Sequence, residues 1–326
     1  MAQTMEVGVL VEGDSAAGAD AAGLFARFWA LADLDPAKYT TQGFDAQSRV
    51  TLKVPCWSKL AAEDKRCDDP LPAGAGAAAA SGALTGAPAE VREGARRDDL
   101  FTLQDTIRQG AGECSGKGYK GADVRLQVMD YLPSSGYMAQ TVWWPGLSDA
   151  VLSAAVMGGC DVRMLVACWS DNLDGWHEAA AAIEAQAAVF YKHKRADKLG
   201  GSLEVRVLTL PGWNETGKPK SGERRYAGHS RVNHRKYAVA GDVVNVGTSN
   251  WLWDYFATTA GASFNLEDAS LARQLAELYD ASWDSPWALS VDQAVEAVRH
   301  SEAAAAARAV RQAAAGAAAP RRVALR

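Results

Sequence analysis

A histidine, a lysine and an asparagine lie close together in the segment 232–251, and their types suit chemistry at phosphorus. His234 and Lys236 are two residues apart, so they point to the same face wherever the backbone is extended. Asn250 follows after a predicted turn. Lys236 and Asn250 can hold the non-bridging oxygens of a phosphodiester, while His234 can attack phosphorus or pass a proton to a leaving oxygen. The segment therefore predicts phosphodiester chemistry that needs no metal ligand.

A predicted β-hairpin positions this cluster. Two strand-like runs, 237–240 and 243–246, follow the lysine and are joined over a turn at Asp242. The second run leads back toward the histidine, so the loop after it lies beside the imidazole. That loop carries Thr248 and Ser249, and we expect both hydroxyls to support phosphate binding.

The elements around the hairpin alternate between strands and helices. Strands are predicted at 6–12, 49–57, 123–129, 161–168 and 203–209, and helices at 19–33, 98–110, 144–158, 173–198 and 268–282. This alternation is typical of a layered α/β domain with a mixed, largely parallel sheet.

The composition limits the classes of protein that fit. Of 326 residues, 48% are hydrophobic and 22% are charged, which is typical of a folded globular protein. The net charge of −5 excludes a global basic field, so a polyanion site must be a local cluster. The basic loop 218–236 is either such a cluster, guiding a polyanion toward His234, or a solvated loop. We expect no transmembrane helix and no secretory signal, because no long apolar run occurs and the first residues are not basic.

The cysteines give no sign of a metal site. None of the five forms a CxxC pair, and no cluster of His, Cys, Asp and Glu has ligand spacing. We expect buried thiols, with one disulfide such as Cys56–Cys67 left open. We therefore expect neither a metal nor another cofactor.

The order of these motifs resembles the phospholipase D superfamily, whose signature is His-x-Lys-x4-Asp (HKD) with a downstream Gly-Ser/Thr-x-Asn. The spacing is most similar to the endomembrane 5′-exonuclease branch. Further resemblances lie at Met129–Pro133, Trp144–Pro145, Val162–Trp169, Asn233–Tyr237, Gly247–Trp251, Tyr255–Phe256, Thr259–Gly261 and Trp283–Pro286. The resemblance implies an α/β/α fold and a phosphohistidine mechanism without a cofactor. It implies a phosphodiester substrate, either single-stranded nucleic acid or a phospholipid.

This chain departs from the family pattern in its number of motifs. The family joins two halves, each with one His-x-Lys motif, whereas this chain carries one. By resemblance, Glu6 matches the acid that orients the histidine of the opposite half, so Glu6 would orient His234. Thr258 stands where the acid serving the other histidine is expected. Gly241 stands at the position of the motif acid, and Asp242, one residue later, would partly substitute for it.

The resemblance divides the chain into four parts. They are a remnant of the first half at 1–69, an Ala/Gly/Pro-rich flexible insertion at 70–97, the second half at 98–287 and an Ala/Arg-rich tail at 288–326. Three interpretations stay open: an active phosphodiesterase, an impaired half-enzyme that acts at most as a binding protein, and a homodimer that pairs two copies of His234. The family branch works in endomembrane compartments, and the compartment of this chain is left open.

Overall fold

The structure is a computed structural model. It describes residues 4–10, 81–87, 97–114, 123–137, 142–169, 175–193, 201–215, 230–257 and 261–301, with a few isolated positions between them. The helix predicted at 19–33 lies largely outside these residues, and the strand predicted at 49–57 lies wholly outside them.

A mixed sheet forms the centre of the described part. The strands are β1 (Thr4–Met5), β2 (Ser81–Ala87), β3 (Arg97–Asp98), β4 (Asp123–Val128), β5 (Asp161–Ala167), β6 (Ser202–Leu208), β7 (Val232–Asn233), β8 (Tyr237–Ala240), β9 (Val243–Gly247), β10 (Gly261–Glu267) and β11 (Ala288–Ser290). In these described residues nine strands make one sheet in the order β11-β6-β5-β4-β8-β9-β10-β2-β3. Strands β4, β5 and β6 are parallel, while β4, β8, β9 and β10 follow one another antiparallel. The predicted α/β class with a mixed sheet is confirmed.

Helices cover both faces of this sheet. They are α1 (Asp99–Cys114), α2 (Gly146–Leu152), α3 (Trp176–His193), α4 (Trp253–Ala257), α5 (Ala269–Trp283) and α6 (Val291–Arg299), and a π-helical segment, Ser153–Met157, continues α2. No helix in the described part of the chain combines the length and the hydropathy of a membrane span.

The sheet separates two hydrophobic core clusters, because successive side chains of a strand point to opposite faces. In β8, Ala238 and Ala240 belong to the first cluster, which also contains side chains of α1, α2, α3 and α6. Tyr237 and Val239 belong to the second cluster, which contains side chains of α5. Strand β8 is thus held on both faces, and this fixes the residues immediately before it.

Two cysteines lie in the described core. Cys168 is a buried free thiol, as expected, whereas Cys160 is disulfide-bonded. Cys56 and Cys67, the pair named from the sequence, lie outside the described residues.

The predicted flexible insertion at 70–97 contains a strand. Residues Ser81–Ala87 form β2, which pairs antiparallel with β10 from Ala87–Gly261 to Ser81–Glu267. Because sheet pairing uses backbone groups, a run rich in Ala and Gly can adopt it without bulky side chains. Composition alone therefore misses this strand.

The predicted tail at 288–326 begins with ordered elements. Strand β11 pairs antiparallel with β6, and Ser290 then caps α6 through reciprocal hydrogen bonds with Gln293. One face of α6 is buried at helical spacing, by Val291, Ala294 and Val298. The Ala/Arg composition hides this capping box, which is the usual signal of a helix start. The structure thus differs from the predicted boundary at 287, and residues 302–326 lie outside the described part.

Candidate functional site

The pairing of β1 with β7 brings Glu6 to the predicted catalytic histidine. His234 N donates to Met5 O over 2.9 Å, which extends this parallel pairing by one residue. His234 Nδ1 then lies 3.0 Å from Glu6 Oε1 and 3.1 Å from Oε2. Because a carboxylate can only accept, Nδ1 is the donor in this bond. The structure therefore brings together the two residues that the resemblance pairs, while their catalytic role stays a prediction.

Lys236 is buried next to His234. Its Nζ donates to His234 O over 2.8 Å and lies 3.7 Å from Met129 Sδ. Burial lowers the pKa of Lys236 to about 8, and the charges of Asp130 and Glu6 oppose this decrease. The ammonium is therefore mostly charged at neutral pH but largely stripped of water.

The loop after β9 places Asn250 next to Asp130 and Met129. Asn250 Nδ2 donates to Asp130 Oδ2 over 2.8 Å, and Asn250 Oδ1 accepts from Asp130 N over 3.3 Å. Its Nδ2 also lies 4.0 Å from Met129 Sδ. The thioether of Met129 therefore contacts both groups that we expect to hold phosphate oxygens, Lys236 Nζ and Asn250 Nδ2.

Asp130 is a site residue that was not predicted from the sequence. It is fully buried, and each oxygen of its carboxylate accepts two hydrogen bonds. Oδ1 accepts from Trp169 Nε1 over 2.7 Å and from Asn172 Nδ2 over 3.1 Å. Oδ2 accepts from Tyr137 OH over 3.0 Å and from Asn250 Nδ2 over 2.8 Å. The carboxylate is therefore the centre of a polar network at this site.

Burial raises the pKa of Asp130, and hydrogen bonds to its carboxylate together with the charge of Lys236 oppose this increase. One sequence signal could have found this residue. Asp130 follows the carboxyl end of β4 by two positions, and the carboxyl ends of parallel strands in open α/β sheets border ligand sites.

These groups surround a cavity of about 340 Å³. It is lined by Thr4, Glu6, Met129, Asp130, Tyr137, Trp169, Val232, His234, Asn250 and Tyr255. Lys236 is not a lining residue, but it contacts Met129, which is one. The cavity thus joins an imidazole, an amide and two carboxylates, with an ammonium behind a thioether.

Aromatic side chains form one wall of this cavity. The ring centroid of Tyr137 lies 5.7 Å from that of Trp176 and 6.1 Å from that of Tyr255. Tyr137 is about half exposed, and Trp169 lines the cavity beside it. Aromatic surface is therefore available to a ligand next to Asp130.

Two hydroxyls predicted to support phosphate binding have other partners. Thr248 Oγ1 accepts from Ala262 N over 3.0 Å and donates to Ala262 O over 3.3 Å. Ser249 Oγ is buried and donates to Asp99 Oδ2 over 2.9 Å, at the start of α1. Neither residue lines the cavity, so the structure gives Thr248 and Ser249 an anchoring position in the loop in place of the predicted phosphate contact.

Asp242 lies at the far end of the hairpin. It is in the turn between β8 and β9, where Gly241 has a φ of 58°, and its carbonyl accepts from Asp268 N over 2.8 Å. The whole of β8 separates it from Lys236, and a strand rises about 3.3 Å per residue. The prediction that Asp242 supports phosphate binding does not agree with this position. Thr258 lies outside the described residues, so its prediction is untested.

Two other histidines with described side chains do not line the cavity. His177 is buried, and its Nε2 lies 3.1 Å from Ala167 O. Burial lowers the pKa of His177. His300 is exposed and contacts Glu296 over 2.7 Å on α6. Among the described residues that line the cavity, His234 is therefore the one histidine.

The described residues hold no group of three or more His, Cys, Asp and Glu side chains that could bind a metal ion. Metal independence stays a prediction, since it concerns the reaction and not the contents of the structure.

Comparison with known proteins points to one superfamily. No protein-family model matches the chain. The chain is 26% identical over 296 residues to Probable phospholipase D F09G2.8 of Caenorhabditis elegans, covering 88% of this chain and 45% of that protein. It is 30% identical over 170 residues to phospholipase D Z of Dictyostelium discoideum, covering 51% and 34%. It is 24% identical over 301 residues to the 5′-3′ exonuclease PLD3 of Rattus norvegicus, covering 91% and 53%.

The similarity extends to solved structures, at low sequence identity. NucT from Helicobacter pylori is similar with a TM-score of 0.41 and 12% identity, over 65% of this chain and 99% of that one. The sequence relatives support the phospholipase D superfamily. The chain spans about half or less of the length of the three curated relatives, from 34% to 53%. The activity of those whole proteins is therefore a proposal for this chain.

Proposed function

We propose that this chain binds a phosphodiester in the cavity beside His234 and takes part in its hydrolysis. The observation that carries the proposal is the 3.0 Å contact between His234 Nδ1 and Glu6 at this cavity. A carboxylate that accepts from Nδ1 fixes the tautomer of an imidazole and leaves Nε2 available for proton transfer or attack. Lys236 and Asn250 supply the positive charge and the donor that a phosphoryl group requires.

His234 has one role in each step of this proposal. In the first step a nucleophile forms a bond to phosphorus, the P–O bond to the leaving group breaks, and Nε2 of protonated His234 gives its proton to the leaving oxygen. In the second step neutral His234 takes a proton from water, which attacks phosphorus and releases the nucleophile. The family resemblance implies that the nucleophile is a second histidine, which would form the phosphohistidine.

The proposed substrate is the end of a single-stranded nucleic acid. The rat relative is named a 5′-3′ exonuclease, and the aromatic wall at Tyr137 and Tyr255 suits the flat face of a nucleobase. A phospholipid head group shares the phosphodiester but has no base to stack there. The base therefore distinguishes the two classes of substrate.

A second candidate function is phosphodiester binding without turnover. It is favoured by the single histidine among the described cavity-lining residues. One imidazole cannot attack phosphorus and protonate the leaving oxygen in the same step. This candidate predicts that an oligonucleotide binds in the cavity but is not cleaved.

The test is an assay of the purified chain in excess EDTA on three substrates. They are a 5′-hydroxyl single-stranded DNA oligonucleotide, a chromogenic phosphodiester and phosphatidylcholine vesicles. We expect slow cleavage of the first two, inhibited by orthovanadate, and none of the lipid. Binding of the oligonucleotide without cleavage supports the second candidate, and failure to bind or cleave any substrate contradicts both. Activity lost in EDTA and restored by zinc or magnesium would contradict metal independence.

A further inference from the structure

We propose that Asp130 is a positioning residue of the phosphate site, which holds Asn250 as a donor toward the cavity and keeps a counter-charge beside Lys236. The inference rests on the proposed function and adds to it a residue outside the His-x-Lys motif. Asp130 would act through the two phosphate-binding groups and would not itself react.

Asp130 makes two hydrogen bonds with the side-chain amide of Asn250. An asparagine side chain has one oxygen that accepts and one nitrogen with two hydrogens that donate. The oxygen accepts from Asp130 N over 3.3 Å, and one hydrogen goes to Asp130 Oδ2 over 2.8 Å. Asn250 also hydrogen-bonds the hydroxyl of Tyr255, and both residues line the cavity. A phosphoryl oxygen in the cavity would therefore replace that hydroxyl as the acceptor of the second hydrogen. Nδ2 lies 4.0 Å from Met129 Sδ, which also lines the cavity.

These two hydrogen bonds determine which end of the amide faces a ligand. If the amide of Asn250 were flipped, its oxygen would face the carboxylate of Asp130 and its nitrogen would face Asp130 N. One acceptor would then face another acceptor, and one donor would face another donor. With Asp130 in place, Asn250 offers an N–H group to a phosphoryl oxygen and not a carbonyl oxygen that would repel it.

The carboxylate of Asp130 is itself held in place from other elements. Trp169, Asn172 and Tyr137 donate to it over 2.7, 3.1 and 3.0 Å. These charge-assisted bonds favour the ionised form in spite of its complete burial. They also disperse the negative charge that would otherwise repel a phosphate.

Lys236 depends on the same carboxylate. Within the described part of the chain, the charged groups that act on its ammonium are Asp130, after β4, and Glu6, after β1, and both favour the charged form. Burial acts in the opposite direction and lowers the pKa of Lys236 to about 8. Removing the charge of Asp130 should lower this pKa further, so that Lys236 loses its proton nearer to neutral pH.

The test substitutes Asp130→Asn, which keeps the shape but removes the charge and one acceptor. Asp254→Asn is the matched control, because Asp254 is also buried and accepts from Gly136 N over 2.7 Å, next to Tyr137. Two quantities are measured at controlled pH: the affinity for inorganic phosphate, by calorimetry, and the titration midpoint of Lys236, by NMR of its side chain.

We expect Asp130→Asn to weaken phosphate binding by about tenfold or more, as loss of a charge-assisted hydrogen bond does. We also expect it to move the Lys236 midpoint downward. Asp254→Asn should leave the affinity within about twofold and the midpoint unchanged. A folded Asp130→Asn variant with wild-type phosphate affinity and an unchanged midpoint would overturn the inference.

A second measurement applies if Asp130→Asn does not fold. In the wild-type chain, phosphate should shift the side-chain NH₂ resonances of Asn250 and leave those of Asn245 unchanged, because Asn245 donates to Asn265 in the core. No shift at Asn250, when phosphate does shift Lys236, would overturn the inference. Neither measurement uses turnover. A failure of the proposed hydrolysis is therefore distinguishable from a failure of the role given to Asp130.

Discussion

Glu6 and His234 are 228 positions apart in the chain, yet Glu6 Oε1 lies 3.0 Å from His234 Nδ1. Glu6 lies in a segment whose side chains alternate between two sides. Met5, Val7 and Val9 pack against the second core cluster. Glu6, between two of these apolar residues, points away from that core toward the histidine. The pairing of β1 with β7 sets the register of this contact.

The Glu6–His234 contact leads to the first prediction. Glu6→Gln keeps the size of the side chain but removes the charge that holds Nδ1, so we expect kcat/KM for a phosphodiester to fall by about tenfold or more. The effect should be smaller than for a buried pair, because His234 is 47% exposed and Glu6 59%. Glu296→Gln, which breaks the similar exposed contact with His300, is the control and should leave kcat/KM unchanged. Equal kcat/KM for Glu6→Gln and the wild type would contradict the orienting role.

Met129 covers the two phosphate-binding groups, so its removal should expose them. Met129→Ala is expected to raise the affinity for inorganic phosphate several-fold, because Lys236 Nζ and Asn250 Nδ2 no longer face a thioether at 3.7 and 4.0 Å. The same change should lower the free energy of unfolding by about 2–5 kcal/mol, the usual range for a buried methionine. Met157→Ala, at an exposed methionine, should change neither quantity. Weaker phosphate binding in a folded Met129→Ala variant would show that the thioether does not cover the site.

The pKa of Lys236, about 8, predicts a pH dependence. The amine is charged below its pKa, so affinity for a phosphorothioate oligonucleotide should be constant near pH 6–7 and fall as the pH rises through about 8. The charge of the oligonucleotide backbone does not change in this range. Lys236→Arg keeps its charge throughout, and a folded variant should lose this step. A step that persists in Lys236→Arg would assign the titration to another group.

The motif residues could be predicted because their signal is local. His234 and Lys236 directly precede β8 and Asn250 follows β9, and the antiparallel pairing of these two strands brings both segments together. Glu6 is far away in sequence, and only its resemblance to a family strand indicated it. Hairpin and strand positions in this region agree with the sequence because alternating apolar residues have to reach two core clusters.

Asp130 could not be recognised as easily, since its importance comes from four residues on three other segments that meet at its carboxylate. Asp242 illustrates the opposite error. An acid one position from the family pattern looked like a substitute, but the turn carries it to the distant end of β8. The strand at 81–87 and helix α6 were missed because backbone pairing and a single capping box outweigh low-complexity composition there.

The chain by itself should be a poor catalyst, at least about a hundredfold below a relative with two His-x-Lys motifs. Displacement at phosphorus needs both a nucleophile and a proton donor, and positioned acid–base catalysis contributes about 10²–10⁴-fold. By resemblance, the acid for a second histidine would stand at Thr258, which is not an acid. Turnover is measured together with the oligomeric state, by light scattering. Fast turnover by a monomer would contradict this prediction, and turnover by a dimer alone would support the pairing of two copies of His234.

The central claim is that His234 carries the chemistry of this cavity, and one comparison tests it most directly. Cleavage of a 5′-hydroxyl single-stranded oligonucleotide is measured for the wild type, His234→Ala and His300→Ala, with circular dichroism to establish that each is folded. His300, exposed on α6 and paired with Glu296, controls for loss of a histidine as such. The account predicts that His234→Ala lowers the rate by at least about a hundredfold, while His300→Ala leaves it unchanged. A folded His234→Ala variant that cleaves at the wild-type rate would contradict it.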